Sequence, residues 1–461
     1  MKITDLRCAV IGKHPIVRVV TDEGLYGLGE VEYTKPYLKP WVLHFREALI
    51  GEDPTDVERV MLKIRQRGSF KPYGAAVSAI EHALWDIAGK AAGVPAYKLL
   101  GGKVRDKVRV YNGSIRQKRT GDRPEDYAAD VKWMMEQPQN FFMVKQGISF
   151  HSNMKDTIEG FHYGVTQKKA GYHGAMDQGM ISERGFNHML DCVIAMKEVL
   201  GDKVSLALDC GPGWMLPDAI KFARAVEKYN LMWLEDMLTG DYVPWVNPQA
   251  YRELTTSTST PIHTGEQIYL RHNFKELIET QAVRVIGPDP ADIGGIAELK
   301  WVAEHAYMHS ILMAPHGTAN GLLGLGALIN VCATLPANYV AFEYPSASDP
   351  WWSDIVIGLP EQGREGQHGG PAGSAGAGPR YRRRSNQEVP QGRGRGLLRL
   401  NHSRRHLPRS TRLATFSYID LRWMFVNNSQ LSRKSGGCSV WNASSKHAWF
   451  IPIAHLRFCR R

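Results

Sequence analysis

The feature that most constrains this chain is a series of eight short apolar runs between residues 105 and 360, separated by segments of helical length. The runs are largely continuous rather than alternating, which is typical of parallel strands buried on both faces. Eight strands that alternate with helices predict an α/β fold, a closed (β/α)8-type barrel. The predicted strands cover residues 108–113, 141–147, 204–209, 231–236, 261–266, 283–289, 310–316 and 339–344. Intervening helices are predicted over residues 123–136, 217–229, 295–307 and 321–335.

Residues 1–104 have a different pattern and predict a separate α+β domain. Three strand-like runs between residues 2 and 33 predict a meander, with a hairpin turn at residues 22–24. Helices are predicted over residues 37–49, 54–66 and 74–92, the last of which ends at Gly93. Because 461 residues exceed the usual size of a single core, two packed domains and an appendage are expected.

Three consecutive barrel strands end in a carboxylate, namely Asp209, Glu235 and Glu266. Their spacings of 26 and 31 residues each correspond to about one βα unit. Since corresponding strand ends meet at one mouth of a barrel, these side chains are expected to converge there. Three adjacent carboxylates stay ionised only beside a cation, and an all-oxygen ligand set favours Mg²⁺. The alternative is three independent helix caps or salt bridges. Asp236 is interpreted as a supporting or capping residue.

The next two strands end in Asp289 and His316, which predicts a proton-transfer dyad in which the carboxylate orients the imidazole. A structural role for His316 is the alternative. Glu343, at the end of the eighth strand, is predicted to act as a hydrogen-bond donor if burial keeps it protonated, or else to form a surface salt bridge. Lys145 ends the apolar run of the second strand, opposite the dyad, and is predicted to bind a substrate carboxylate or to act as a base; a salt bridge at the barrel mouth is the alternative.

A segment of about 37 residues, from Ser149 to Arg184, separates the second strand from its helix. Long loops at the carboxyl ends of barrel strands usually serve function, although a surface excursion is the alternative. The segment's candidate functional residues are His151, Lys155, His162, Tyr163, Tyr172 and His173.

The formal net charge of +11 belongs to residues 361–461 alone, which contain 17 Arg and 2 Lys against 4 acidic residues. This appendage lacks hydrophobic periodicity and predicts a disordered tail. The abrupt change in composition is typical of translation in a shifted reading frame; a basic tail that binds nucleic acid is the less favoured reading.

Six cysteines without CxxC spacing argue against a zinc site or a disulfide scaffold. No signal peptide or membrane span is recognisable, so a cytoplasmic protein without a membrane partner is expected.

These residues together resemble the mandelate racemase and muconate lactonizing enzyme branch of the enolase superfamily over about residues 1–358. The stretch AVSAIEHALWDIAGKAAGVPAYKLLGG is similar to that branch's amino-terminal signature, and the barrel has its order of strand-end residues. The resemblance implies that the α+β domain caps the barrel, and that a Mg²⁺ enzyme abstracts the proton α to a carboxylate. It also implies that substrate specificity resides in cap loops, here residues 32–35 and 67–73, and we expect a homo-oligomer.

The chain departs from that branch at three strand ends, one of which is Met237 after Glu235-Asp236, where Pro is usual. Lys145-Gln146-Gly147 stands where the racemases have Lys-x-Lys, and Asp209-Cys210-Gly211 stands where Asp-x-Asn or Asp-x-His is common. The departures at Gly147 and Gly211 remove a usual acid or base, so His316 becomes the main candidate for proton transfer. We expect any second group to come from the long insertion.

The favoured interpretation is a dehydratase that removes water from a sugar acid. An epimerase, racemase or lactonizing enzyme would use the same metal and dyad, and a regulator that binds sugar acids without turnover would share the ligand site.

Overall fold

The computed structural model describes residues 1–68, 73–137, 139–163, 179–238, 246–317 and 321–345, together with four short strands nearer the carboxyl end. In this part of the chain, no helix has the length and apolar character needed to cross a membrane.

The amino-terminal domain is built on the predicted antiparallel meander. Its strands are β1 (Ile3–Ile11), β2 (His14–Thr21) and β3 (Tyr26–Glu30), in the order β1-β2-β3. Buried positions on β2 face the helices, and Gly24 at φ 80° allows the tight turn between β2 and β3.

Five helices complete this domain: α1 (Lys39–His44), α2 (Arg46–Leu49), α3 (Val57–Ile64), α4 (Gly74–Ala92) and α5 (Ala96–Leu99). Short 3-10 turns cover Pro36–Leu38 and Arg65–Gly68. Helix α4 has the predicted bounds and ends because Gly93 adopts a left-handed conformation with φ 67°. It lies directly on β3, where a Cβ atom at Gly29 would be 1.8 Å from the carbonyl oxygen of Ala79. The glycine therefore allows backbone-to-backbone contact between sheet and helix.

The second domain is barrel-like and contains eight parallel strands at the predicted places. They are β4 (Lys107–Tyr111), β5 (Met143–Gly147), β6 (Ser205–Asp209), β7 (Leu234–Glu235), β8 (Ile262–Thr264), β9 (Val285–Ile286), β10 (Leu312–Met313) and β11 (Phe342–Glu343). Strands β5 to β10 form one parallel sheet in chain order, and β11 pairs in parallel with β4. Single bridges, Asn112 to Val144 and Met313 to Tyr339, link the two groups.

Helices alternate with these strands: α6 (Pro124–Met135), α7 (Met154–Thr157), α8 (Glu183–Leu200), α9 (Leu216–Ala225), α10 (Pro248–Thr256), α11 (Lys275–Glu279), α12 (Ile296–Met308) and α13 (Leu322–Cys332). Short 3-10 turns cover Ser149–His151, Glu227–Tyr229 and Arg271–Phe274. Local chemistry sets several starts, since Ser182 and Asn247 accept backbone hydrogen bonds as amino-terminal caps of α8 and α10.

The observed barrel strands are shorter than the predicted ones. Leu231, Trp233 and Leu234 are all buried, yet only Leu234–Glu235 form strand β7. An apolar run reports burial, whereas a strand also requires a paired neighbour in register, so the run overstates the strand's length.

Four further strands lie in or near the predicted tail: β12 (Val356–Ile357), β13 (Gln362–Gly363), β14 (Leu397–Arg399) and β15 (Asp420–Leu421). Strand β12 pairs with β15, and β14 pairs with β13 and, antiparallel, with residues 107–109 of β4. Strand β14 thus occupies the edge of β4 on the β5 side, where one bridge joins β4 to β5. The rest of the predicted disordered tail lies outside the described residues.

Two carboxylates of the amino-terminal domain dock onto helix amino termini of the barrel-like domain. Glu30 accepts hydrogen bonds from the backbone N–H groups of Gly321, Leu323 and Gly324, at the start of α13. Glu81 accepts from Ile296 and Ala297 at the start of α12. These carboxyl oxygens accept hydrogen bonds from N–H groups that have no partner within their own helix, so the contacts hold the two domains together.

Candidate active site

The predicted site residues converge at the carboxyl ends of the barrel strands. Asp209, Glu235 and Glu343 are the last residues of β6, β7 and β11. Glu266, Asp289 and His316 follow β8, β9 and β10, respectively, by two or three residues. Lys145 lies within β5. All seven are buried, and contacts of 3.6 Å or less join each to at least one other.

The acidic residues form a group that could hold a cation. One carboxylate oxygen each from Glu235, Asp236 and Glu266 lies within 4.8 Å of the others. Asp236 belongs to this group, and its Oδ1 accepts a hydrogen bond of 2.7 Å from the hydroxyl of Thr264. The assignment of Asp209 as a metal ligand stays a prediction. Asp209 is joined to Glu235 through Lys145, whose Nζ lies 3.6 Å from Asp209 Oδ2 and 2.5 Å from Glu235 Oε1.

Lys145 is the cation that balances these acids in the structure. Its side chain is 2% exposed, and its Nζ also lies 3.2 Å from Oε2 of Glu343. Burial opposes its charge, but the surrounding carboxylates, first Glu235 and then Glu343, raise its pKa well above the usual value. An ammonium held in this state binds anions and is a poor base.

Glu235 shows that the group is suited to a metal ion. Burial, supported by the charges of Asp209 and Glu266 and opposed by Lys145, raises the pKa of Glu235 to about 8. Its Oε2 accepts a hydrogen bond of 2.8 Å from the indole N–H of Trp233, which fixes its orientation. A divalent cation would relieve this crowding of carboxylates, and an all-oxygen donor set fits Mg²⁺.

Asp289 and His316 are in hydrogen-bond contact, and their role in proton transfer stays a prediction. Nδ1 of His316 lies 2.7 Å from Oδ2 of Asp289, and the other ring nitrogen, Nε2, lies 3.1 Å from Oε2 of Glu266 and 3.5 Å from Oε2 of Glu343. Because the carboxylate accepts from Nδ1, Nε2 is the nitrogen left to exchange a proton. Burial opposes protonation, yet Glu266, Asp289 and Glu343 together raise the pKa of His316 well above its ordinary value.

Glu343 lies in the interior, with a 1% exposed side chain, and therefore does not form a surface salt bridge. It packs against Gly113, where an added Cβ would be 1.7 Å from Oε1 of Glu343 and 3.1 Å from Cε of Lys145. Sequence reasoning did not single out Gly113 as part of the site. The available signal was its position as the last residue of the strand-like run at residues 108–113.

Of the candidates in the long insertion, His151 reaches the site. Its Nδ1 lies 3.1 Å from Oδ1 of Asp209, and burial lowers its pKa despite that carboxylate. His162 instead stacks on Phe150 with ring centroids 5.5 Å apart, and Tyr163 is 61% exposed. Lys155 lies on α7, whereas Tyr172 and His173 fall outside the described residues.

The amino-terminal domain contributes one of the two expected cap loops to the same mouth. Lys35 forms ion pairs with Glu32, at 2.8 Å, and with Asp292 of the loop after β9. Although burial acts in the opposite direction, Lys35 lowers the pKa of Glu32 to about 2. One oxygen of Glu32 lies within 4.8 Å of ligand atoms of Asp289 and His316, so this loop borders the dyad. Most of the other expected loop, residues 67–73, lies outside the described residues.

Comparisons with known proteins agree with this architecture. Residues 10–101 match the family described as the mandelate racemase / muconate lactonizing enzyme N-terminal domain, and residues 162–378 match the enolase C-terminal domain-like family. The chain is 32% identical over 373 residues to the D-xylonate dehydratase of Haloferax volcanii, covering 77% of this chain and 81% of that protein. It is 30% identical over 324 residues to the D-galactonate dehydratase of Variovorax paradoxus, covering 68% and 75% respectively.

Among solved structures, the chain is similar to a mandelate racemase/muconate lactonizing enzyme-like protein from Rubrobacter xylanophilus. The TM-score is 0.64 at 32% identity, with 77% of this chain and 88% of that chain covered. The sequence resemblance is therefore confirmed across both domains. The chain belongs to the mandelate racemase and muconate lactonizing enzyme family of the enolase superfamily.

Proposed function

We propose that the chain is a Mg²⁺-dependent dehydratase of sugar acids. The observation that carries this proposal is the placement of the Asp289 and His316 dyad beside the buried carboxylates, with Nε2 of His316 3.1 Å from Glu266. A proton acceptor and a cation-binding group would then both contact one bound substrate molecule. Relatives that are named D-xylonate and D-galactonate dehydratases support the choice of reaction.

Asp209, Glu235 and Glu266 are the proposed metal ligands, with Asp236 as the competing candidate for the place of Asp209. Bound Mg²⁺ would polarise the substrate carboxylate and stabilise the charge that develops when the α-proton leaves. Asp209→Asn and Asp236→Asn form a matched pair that separates the candidates. The variant that lowers Mg²⁺ affinity more in calorimetric titration identifies the ligand.

Nε2 of His316 is the proposed acceptor of the α-proton, because a cation bound by Glu266 would offset the carboxylate charge that contributes most to raising the pKa of this imidazole. Asp289 holds the ring by accepting from Nδ1, so that the ring nitrogen facing the mouth is the one that exchanges the proton. Lys145 provides a buried ammonium for the substrate carboxylate. Oε2 of Glu343 lies 3.2 Å from that ammonium, so Glu343 lines the same part of the proposed substrate site. Each well-placed electrostatic contact of this kind contributes roughly 3 to 4 kcal/mol to the transition state.

Loss of water completes the reaction. After His316 has taken the α-proton, its imidazolium can return a proton to the β-hydroxyl, whose carbon–oxygen bond breaks as the carbon–carbon double bond forms. The resulting enol takes up a solvent proton at the former β-carbon and becomes a 2-keto-3-deoxy acid. One residue thus serves as base and then as acid, which suits a site whose usual second lysine is replaced by Gly147.

A panel of sugar acids that includes D-xylonate and D-galactonate tests this function. Formation of a 2-keto-3-deoxy acid from at least one member, dependent on Mg²⁺, is expected. An epimer or a lactone in place of that product would assign the chain to the racemase or lactonizing reactions of its family. Binding without any product would identify a regulator.

In the proposed enzyme, residues 1–104 form the cap, residues 105–360 form a closed (β/α)8 barrel, and residues 361–461 form an appendage without an enzymatic role. The parallel pairing of β5 to β10 and of β11 with β4 supports closure of the barrel. The weakest place is between β4 and β5, where β14 pairs with β4 and a single bridge joins the two barrel strands. Limited trypsin digestion should remove the Arg-rich appendage early and leave a fragment that ends near residue 360. A protease-resistant appendage would contradict this division.

A further inference from the structure

His151 is the candidate residue of the long insertion that lies at the site. It ends the 3-10 turn Ser149–His151, directly after β5, and its ring nitrogen Nδ1 lies 3.1 Å from Oδ1 of Asp209. The backbone fixes this arrangement, because the N–H of His151 donates to the carbonyl oxygens of Ile148, at 3.0 Å, and Cys210, at 3.3 Å. The imidazole is therefore held against the end of β6.

Two glycines make room for this turn, and they are the two positions at which the chain lacks an expected acid or base. A Cβ at Gly147 would be 2.6 Å from the carbonyl oxygen of His151 and 2.8 Å from its ring atom Cδ2. A Cβ at Gly211, whose φ is 66°, would be 2.6 Å from the backbone nitrogen of His151. Side chains at either position would displace His151, so one histidine takes the space of both missing groups.

We propose that His151 is a nitrogen ligand of the divalent cation, adjacent to Asp209. This inference rests on the proposed metal site. Two ligands at right angles, each about 2.1 Å from an ion, are about 3.0 Å apart, which agrees with the observed 3.1 Å between Nδ1 and Oδ1. An imidazole nitrogen is a better ligand for transition-metal ions such as Mn²⁺ than for Mg²⁺, which prefers oxygen ligands. The site should therefore favour Mn²⁺ over Mg²⁺ more strongly than three carboxylates alone would.

The test uses the full-length protein loaded with Mn²⁺ and pulsed electron paramagnetic resonance, which detects the coupling of a directly bound ¹⁴N nucleus. Wild-type protein should show this coupling, and His151→Gln should lose it and bind Mn²⁺ at least about tenfold more weakly. Gly147→Ala keeps the imidazole but displaces it, so this variant should also lose the coupling. His162→Gln, in the same insertion but stacked on Phe150, is the matched control and should retain both properties.

The possible failures are distinguishable. If wild-type protein binds Mn²⁺ without ¹⁴N coupling, or if the coupling persists in His151→Gln, the assignment of His151 is wrong while the carboxylate site stands. If wild-type protein binds neither Mn²⁺ nor Mg²⁺, both the ligand assignment and the proposed function are wrong.

Discussion

The contact of Glu30 with helix α13 provides a quantitative test of how the two domains are held together. The Glu30 carboxylate is 1% exposed and accepts from three backbone N–H groups, at 2.8 Å from Gly321, 3.1 Å from Leu323 and 3.1 Å from Gly324. Nδ1 of His14 lies 2.5 Å from its Oε1. Both oxygens are therefore used, and the substitution Glu30→Gln changes one acceptor into a donor.

The magnitude follows from the bonds that the amide loses. Glutamine can keep the acceptor facing Gly321, but its NH2 group then faces the N–H groups of Leu323 and Gly324. Two charge-assisted hydrogen bonds, each contributing roughly 1.5 to 3 kcal/mol, would be lost. We expect the free energy of unfolding to fall by about 3 to 6 kcal/mol, a large share of the roughly 5 to 15 kcal/mol typical of a folded protein.

Urea denaturation followed by circular dichroism measures this change, with the exposed Glu47→Gln as the matched control for loss of one charge. The control should leave the transition midpoint unchanged. A decrease of less than about 1 kcal/mol for Glu30→Gln would refute the reasoning, because it would mean that the carboxylate does not support the start of α13.

Three further predictions concern the site and its surroundings. Glu235→Gln should weaken Mg²⁺ binding at least about a hundredfold in calorimetric titration while leaving the far-ultraviolet spectrum intact, because it removes the charge that the cation balances; unchanged affinity would exclude Glu235 as a ligand. His316→Asn should lower the rate of α-proton exchange, measured by NMR, by about two to four orders of magnitude. Asp289→Asn should lower this rate less, because it removes only the residue that orients the imidazole ring. Exchange that survives in His316→Asn would place the base elsewhere. Burial lowers the pKa of His82 to about 4, so the unfolded chain binds a proton between pH 6.5 and 4 that the folded chain does not, and stability falls with decreasing pH across this window by about 3 kcal/mol. His82→Gln should flatten that part of the pH profile of urea stability, and an unchanged profile would count against the burial argument.

Much of the fold could be predicted because it depends on local periodicity. Helix α4 has the predicted bounds of residues 74–92, since its apolar face and Gly93 are both visible in the sequence. Strand lengths could not be predicted equally well: the run at residues 231–236 contains only Leu234–Glu235 as strand, because the pairing partner decides where a ladder ends. The pairing of β14 with β4 connects residues almost 300 positions apart, and no local pattern indicates it.

The site could be predicted as far as it depends on strand ends. Regular spacing brought Asp289 and His316 together as expected, with 2.7 Å between Nδ1 and Oδ2. The positions of Asp236 and His151 could not be derived in this way. Asp236 has a positive φ of 52° that turns it toward Thr264, and His151 depends on the path of an irregular loop. Both are set by backbone conformations that hydrophobic periodicity does not report.

The most direct test of the proposed function is proton NMR of a turned-over sugar acid in D2O, with and without removal of divalent cations by EDTA. We expect a 2-keto-3-deoxy acid carrying one deuterium at the former β-carbon, and no product after EDTA treatment until Mg²⁺ is restored. Recovery of the substrate without any 2-keto-3-deoxy acid, inversion of the α-carbon in place of water loss, or water loss that continues in EDTA would contradict the assignment of a Mg²⁺-dependent dehydratase.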